Sequence, residues 1–276
     1  MIAMAVQTEA GARGAPATGG PLLEARHISK RFGPVQALDD VSFSVSAGEV
    51  VALVGDNGAG KSTLIKTITG AGPADDGEFL FEGQPVTIHT PHDSAVLGIS
   101  PVYQDLALCD NLDVVKNLFL GREVRPGPPL GPLNEIEMER ESRRLLDSLA
   151  VRTLKSVRSE VGALSGGQRQ TVAIARSMLG EPRLVILDEP TAALGVSQTE
   201  QVLQLVKRLR EQGLGVILIS HNLNDVFAVA DRVAVLYLGR NGGEFPADPA
   251  RRNDVVAAIT GTATNGRGPG GQEAAG

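Results

Sequence analysis

The chain has 276 residues, 42% of them hydrophobic and 21% charged, with a formal net charge of −6 and a single cysteine, Cys109. That is the composition of an ordinary folded protein, long enough for one large domain or two small ones. The acidic balance argues, weakly, against nucleic acid as the main partner. One cysteine excludes a disulfide framework and a cysteine-built metal site, and the plain role for Cys109 is a small buried or half-buried hydrophobe.

Along the chain, residues 1–20 end in "AGARGAPATGG" and residues 261–276 read "GTATNGRGPGGQEAAG". Both are Ala/Gly-rich without periodicity and are expected to be disordered tails. "MIAMAV" lacks the basic region of a signal peptide, and no apolar run reaches the roughly 18 residues of a spanning helix. The chain is therefore expected to be soluble and cytoplasmic, held at any membrane by another protein. From Leu22 to Val54 strand-like runs alternate with turns: "LLEARHIS", "VSFSVS", "EVVALVG". Val41, Phe43 and Val45 alternate with serine, the pattern of a half-exposed strand, and "GEFLFEG" adds another. Residues 111–150 carry two helical patterns around "RPGPPLGP". The second is expected to start at Asn134 as N-cap and to bury Leu145, Leu146 and Leu149. From Ser165 onward helices alternate with buried strands ("RLVILDE", "GVILIS", "RVAVLYLG"), which predicts a parallel α/β sheet. No internal repeat is present.

Three stretches carry chemistry. "GDNGAGKST" comprises Gly55, Asp56, Asn57, Gly58, Ala59, Gly60, Lys61, Ser62 and Thr63. It matches G-x-x-x-x-G-K-[ST] between a strand and a helix. Its glycines let backbone N–H groups face phosphate oxygens at a helix N-terminus, Lys61 is placed for the β- and γ-phosphates, and Ser62 for Mg²⁺. "RLVILDEP" ends a buried strand in Asp188 and Glu189, putting both carboxylates at the C-terminal sheet edge where α/β folds bind ligands. Asp188 suits Mg²⁺ through water, and Glu189 suits a general base for the attacking water. An acidic helix cap is the alternative for the pair. In "LSGGQRQ", Ser165, Gly166, Gly167 and Gln168 open a helix with Val172, Ile174, Ala175 and Met178 on its apolar face. This is either a second anion cradle or N-capping by Ser165.

Together these stretches resemble the nucleotide-binding subunit of ATP-binding cassette (ABC) transporters, from about Leu22 to Gly239. The resemblance implies an α/β P-loop NTPase core with a parallel sheet, an N-terminal antiparallel β subdomain and an inserted helical subdomain. The core would span 21–104 and 163–260, and the helical insert 105–162. It implies ATP and Mg²⁺ as ligands and a head-to-tail homodimer, in which each "LSGGQ" closes on the nucleotide held by the partner's P-loop. Phe32 in "KRFG" stands where the family stacks a ring on adenine, a core phenylalanine being the alternative. Gln104 in "PVYQD" matches the glutamine that contacts Mg²⁺ and the attacking water, and His221 in "LISHN" the switch histidine on the γ-phosphate. The stretches "LGISPVYQDLALCDNLDVVKNLFLGRE" and "TAALGVSQTEQVL" look like bacterial importers of ribose, xylose and fructose types. Partners implied are an integral membrane permease and, indirectly, a periplasmic sugar-binding protein, with no nucleic acid; the place implied is the cytoplasmic face of the bacterial inner membrane. A non-transport ABC ATPase, an exporter ATPase and a P-loop kinase are the alternatives. One departure stands out. The family mostly reads Ser-Ala-Leu-Asp after "DEPT", whereas this chain reads "AALG", Ala192 to Gly195. Gly195 is expected either to weaken coupling between the two ATP sites or to serve a positive-φ backbone.

Overall fold

A computed structural model describes residues 20–127 and 131–262; residues 1–19 and 263–276, most of the expected tails 1–20 and 261–276, and the centre of the Pro/Gly break at 128–130 lie outside the described residues. The order is β1 (Leu23–Phe32), β2 (Val35–Val45), β3 (Val50–Val54), α1 (Lys61–Ile68), β4 (Asp76–Phe81), β5 (Gln84–Val86), α2 (Pro91–Val96), β6 (Ile99–Val102) and α3 (Val114–Phe119). Then come α4 (Glu135–Ser148), α5 (Gly166–Met178), β7 (Leu184–Asp188), α6 (Val196–Glu211), β8 (Gly215–Ile219), α7 (Leu223–Val229), β9 (Arg232–Tyr237), β10 (Arg240–Pro246) and α8 (Arg252–Ile259).

Two sheets form. The smaller is antiparallel, in the order β2-β1-β4-β5, and the larger runs β10-β9-β3-β8-β7-β6. In β2 the expected alternation holds: Val41, Phe43 and Val45 are buried while Ser42 is exposed. β3 and β8 are buried at every residue, as parallel strands covered on both faces must be. Alternate residues of β7 feed opposite cores. Val185 and Leu187 pack with α3–α6, while Leu184 and Ile186 pack with α1 and the small sheet. Five strands of the large sheet are parallel neighbours, and β10 closes its edge antiparallel to β9. β10 and α8 follow the segment in which the sequence pattern was legible.

α4 begins as expected, with Asn134 Oδ1 accepting from Glu137 N at 3.1 Å. It buries Met138, Ser142 and Leu146, with Leu149 at its end. Leu145, expected in that core, is only partly buried. It lies about 20° outside Met138, at the margin of the stripe that Met138, Ser142, Leu146 and Leu149 define, so it packs against the core without being fully covered. α5 buries Val172, Ile174 and Ala175, and Met178 is half-buried at its end. Cys109 is half-buried and unbonded to any other cysteine. Because β3, β6, β7 and β8 run parallel, the residues just past their ends share one edge: Gly55, Gln104, Glu189 and His221. No helix among the described residues is long and apolar enough to cross a membrane.

Candidate nucleotide-binding site

β3 delivers the chain into a loop clamped from two sides. At Gly55 (φ 153°) a Cβ would lie 2.4 Å from Leu236 O on β9; at Gly60 (φ 103°) it would lie 2.8 Å from Ala37 O on β2. Only glycine tolerates both the backbone and the approach. Gly239, past β9, adds a bond from its N–H to Ala59 O at 3.0 Å. Among the described residues, no protein acceptor meets the N–H groups of Gly58, Gly60, Lys61, Ser62 or Thr63. α1 has neither a side-chain cap nor an acidic residue in its first turn. The unpaired donors and the uncompensated helix dipole make a site for an anion. Asn57 N is turned aside to Asp56 Oδ1 at 2.7 Å. Lys61 Nζ donates to Gly55 O (2.7 Å) and Asp56 O (3.0 Å), so two of its three donors tie the ammonium to the loop.

At the end of β7, burial first and the neighbouring Glu189 charge second push the Asp188 carboxyl above the usual range, while Lys61 opposes them. A half-buried carboxylate held at that disadvantage is one a divalent cation would stabilise. Among the described residues no group of three or more His, Cys, Asp or Glu is placed to hold a metal. The donor set of the Ser62 hydroxyl and one carboxylate therefore fits Mg²⁺ held jointly with phosphates, not a cation caged by protein alone.

Glu189 has left-handed backbone, φ 51°, which is costly for a residue with a Cβ. Its N–H bonds Ile219 O at 3.0 Å, anchoring it to β8. Its side chain is 16% exposed, and His221 Nδ1 stands 2.8 Å from Glu189 Oε2. The structure thus joins two predicted residues 32 positions apart. A second link lies beside them: Thr191 Oγ1 donates to Asp225 Oδ2 at 2.7 Å, with Asp225 buried. Nothing in sequence spacing signals that bond. Gln104 sits on an exposed bend past β6, and its side chain bonds no other described residue.

Ser165 caps α5: its Oγ accepts from Gln168 N at 3.4 Å and its N–H donates to Gln168 Oε1 at 2.9 Å. The capping role left open above is therefore realised, and Gln168 is further engaged by donating to Thr153 O at 2.6 Å. The glycines of this loop also serve a protein contact. A Cβ on Gly167 would meet Gln198 Cβ at 2.8 Å, and one on Gly166 would meet Leu194 Cδ2 at 3.0 Å. They let α5 start close against α6. Among the described residues no hydrogen bond or ion pair joins 165–168 to 55–63. Phe32 is 53% exposed at the tip of the β1–β2 hairpin, the same hairpin whose Ala37 O abuts Gly60; the core alternative for this ring is set aside. Gly195 is corrected. It is the N-cap of α6 with φ −73° and ψ 163°, and a Cβ there meets nothing within 4 Å. The left-handed residue of that loop is Ala193, at φ 59°.

Residues 38–192, more than half the chain, match the family model described as ABC transporter. The chain belongs to the ABC transporter family. Among its relatives are the fructose import ATP-binding protein of Rhizobium meliloti, 44% identical over 87% of this chain and 94% of that one, and the xylose/arabinose import ATP-binding protein of Sulfolobus acidocaldarius, 48% identical over 79% and 86%. A ribose import ATP-binding protein of Rubrobacter xylanophilus is 44% identical over 87% of this ABC chain, which spans only 47% of it. A solved ATP-binding cassette of an ABC transporter in its ADP conformation superposes with TM-score 0.74 and 30% identity over 88% of this chain and all of that one. A dimeric cassette in a post-hydrolysis state, bound to ADP and Pi, superposes at TM-score 0.67 and 25% identity, covering 82% and 99%.

Proposed function

We propose that the chain is the ATP-hydrolysing subunit of an importer that carries a monosaccharide through a separate membrane permease, working at the cytoplasmic face of the membrane. The observation that carries the reading is one sheet edge holding both a loop of unpaired N–H donors and the Glu189–His221 contact at 2.8 Å. The fructose, xylose/arabinose and ribose import relatives favour import over export or a non-transport role. An extracytoplasmic binding protein and the permease would choose the sugar.

Each residue then has a task. The N–H groups of Gly58, Gly60, Lys61, Ser62 and Thr63 and the Lys61 ammonium hold the β- and γ-phosphates. Ser62, Asp188 (through water) and Gln104 would hold Mg²⁺ together with those phosphates, and the ion would supply neutralisation of the charge on the transferring phosphoryl group. Glu189 accepts the proton of the attacking water, and His221 fixes the Glu189 carboxylate and reaches the γ-phosphate. Phe32 stacks on the base. Among the described residues Ser165, Gly166, Gly167 and Gln168 share no hydrogen bond with their own P-loop, and in this reading a second copy, paired head to tail, brings its α5 N-terminus to the γ-phosphate. The insert at 105–162 docks the permease.

Glu189→Gln tests this directly. Loss of a general base typically costs about 10²–10⁴ in rate, while ATP binding should persist and a closed dimer should accumulate on a sizing column. Near-normal hydrolysis would remove Glu189 from the role.

A further inference from the structure

We propose that Lys30 is a positioning residue for the base of the nucleotide, acting through the Phe32 ring; the proposal rests on the reading of Phe32 as the base-stacking side chain. Lys30 and Phe32 are alternate residues of β1 and share a face. Lys30 Nζ lies over the ring, 5.6 Å from its centroid. For a lysine it is well covered, its side chain 14% exposed, and its ammonium is fixed 2.7 Å from Asp75 Oδ1. The other oxygen, Asp75 Oδ2, accepts from Arg31 N at 2.7 Å, and Asp75 N donates to Ser29 O at 2.9 Å. One carboxylate, itself bonded to β1, therefore holds both the cation and the backbone between cation and ring.

This arrangement has two effects on a ligand. It fixes the ring before the base arrives, so less side-chain freedom is lost on binding. It also draws π-density toward the ammonium, which lowers the repulsion between the exposed part of the ring and an electron-rich purine stacked on it. The result is a three-layer stack of cation, ring and base. A positive charge near the site could instead act on the phosphates alone, and that alternative predicts a different pattern.

The test measures affinity of the full chain for MgATP and for inorganic triphosphate, which has no base. Lys30→Met should weaken MgATP about two- to fivefold, the range an exposed cation–π contact supplies, and leave triphosphate unchanged. Lys30→Arg should retain affinity. Phe32→Ala should weaken MgATP about fivefold or more, and adding Lys30→Met to it should change nothing further. Should Lys30→Met melt below assay temperature, Lys30→Gln, which can still donate to Asp75 but carries no charge, takes its place. Equal weakening of triphosphate, or an undiminished Lys30 effect without the ring, overturns the proposal while leaving Phe32 in its role. Unchanged MgATP affinity in Phe32→Ala overturns the reading of Phe32 and the proposal with it.

Discussion

Gly195→Asp puts back the carboxylate that most of the family carries, and the structure fixes what it should do to the isolated chain. The backbone at Gly195 is extended, φ −73° and ψ 163°, and a Cβ there meets no atom within 4 Å, so an L side chain enters without strain. The residue is the N-cap of the sixteen-residue helix α6, which has no side-chain cap and no acid in its first turn. An aspartate there gains a few tenths of a kcal/mol as a cap over glycine, and about 0.3–1 kcal/mol from the helix dipole. The sum, about 0.5–1.5 kcal/mol, corresponds to a Tm rise of roughly 1–6 °C for a chain of this size. Calorimetry of the ligand-free protein at low ionic strength measures it, and the gain should shrink with added salt. In the proposed head-to-tail pair the same side chain would supply a group able to bond across the dimer. The native Hill coefficient for ATP is expected nearer one than two, and Gly195→Asp should raise it. A lowered Tm would refute the free N-cap. Strong native cooperativity that Gly195→Asp leaves unchanged would show that the sites couple through other contacts.

Mixing Lys61→Ala with Ser165→Arg subunits, each inactive alone, should recover partial ATPase activity, because the mixed pair holds one site with an intact P-loop and an intact α5 N-terminus. Complete inactivity in proven heterodimers counts against sites completed by a second copy. Asp188→Asn should abolish hydrolysis yet raise the Tm of the ligand-free protein at pH 7. Its folded pKa lies above the unfolded value, so the native state binds more protons between the two, and stability falls as pH rises through that window. The cost is full above the folded pKa and vanishes below the unfolded one, so the advantage of Asp188→Asn should fade at acid pH. A variant less stable than the parent at neutral pH would refute the sign.

What sequence made legible was local. The glycine pattern and Lys61 of the P-loop, the buried strand ending in Asp188 and Glu189, and the Ser165 cap all depend on neighbours a few residues away. What stayed hidden depended on packing between distant segments. Gly167 is required by Gln198, thirty-one positions on, and Thr191 finds Asp225 only because β7 and β8 are adjacent. Glycine is the usual occupant of a left-handed turn, which makes Gly195 one candidate for it, whereas Glu189 and Ala193 carry it. Glu189 is held there by the bond of its N–H to Ile219 O, which no composition signal announces. Leu145 sits at the margin of the apolar stripe of α4, so it packs against the core but stays only partly buried, a difference of degree that apolarity does not signal.

The clamping of the P-loop between Leu236 O and Ala37 O sets an order of events. A cradle already locked by strands on either side takes up nucleotide at little entropic cost, so a lone subunit can load ATP, and the occupancy of that half-site depends on ATP concentration only. On the proposed head-to-tail pairing, completing the site would require a collision between two loaded subunits and would therefore scale with the square of subunit concentration. Dilution should leave nucleotide binding intact and extinguish turnover, unless a permease holds two copies side by side at a high effective concentration. On the proposed reading a membrane partner would govern the rate of hydrolysis by local crowding before any conformational signal passes.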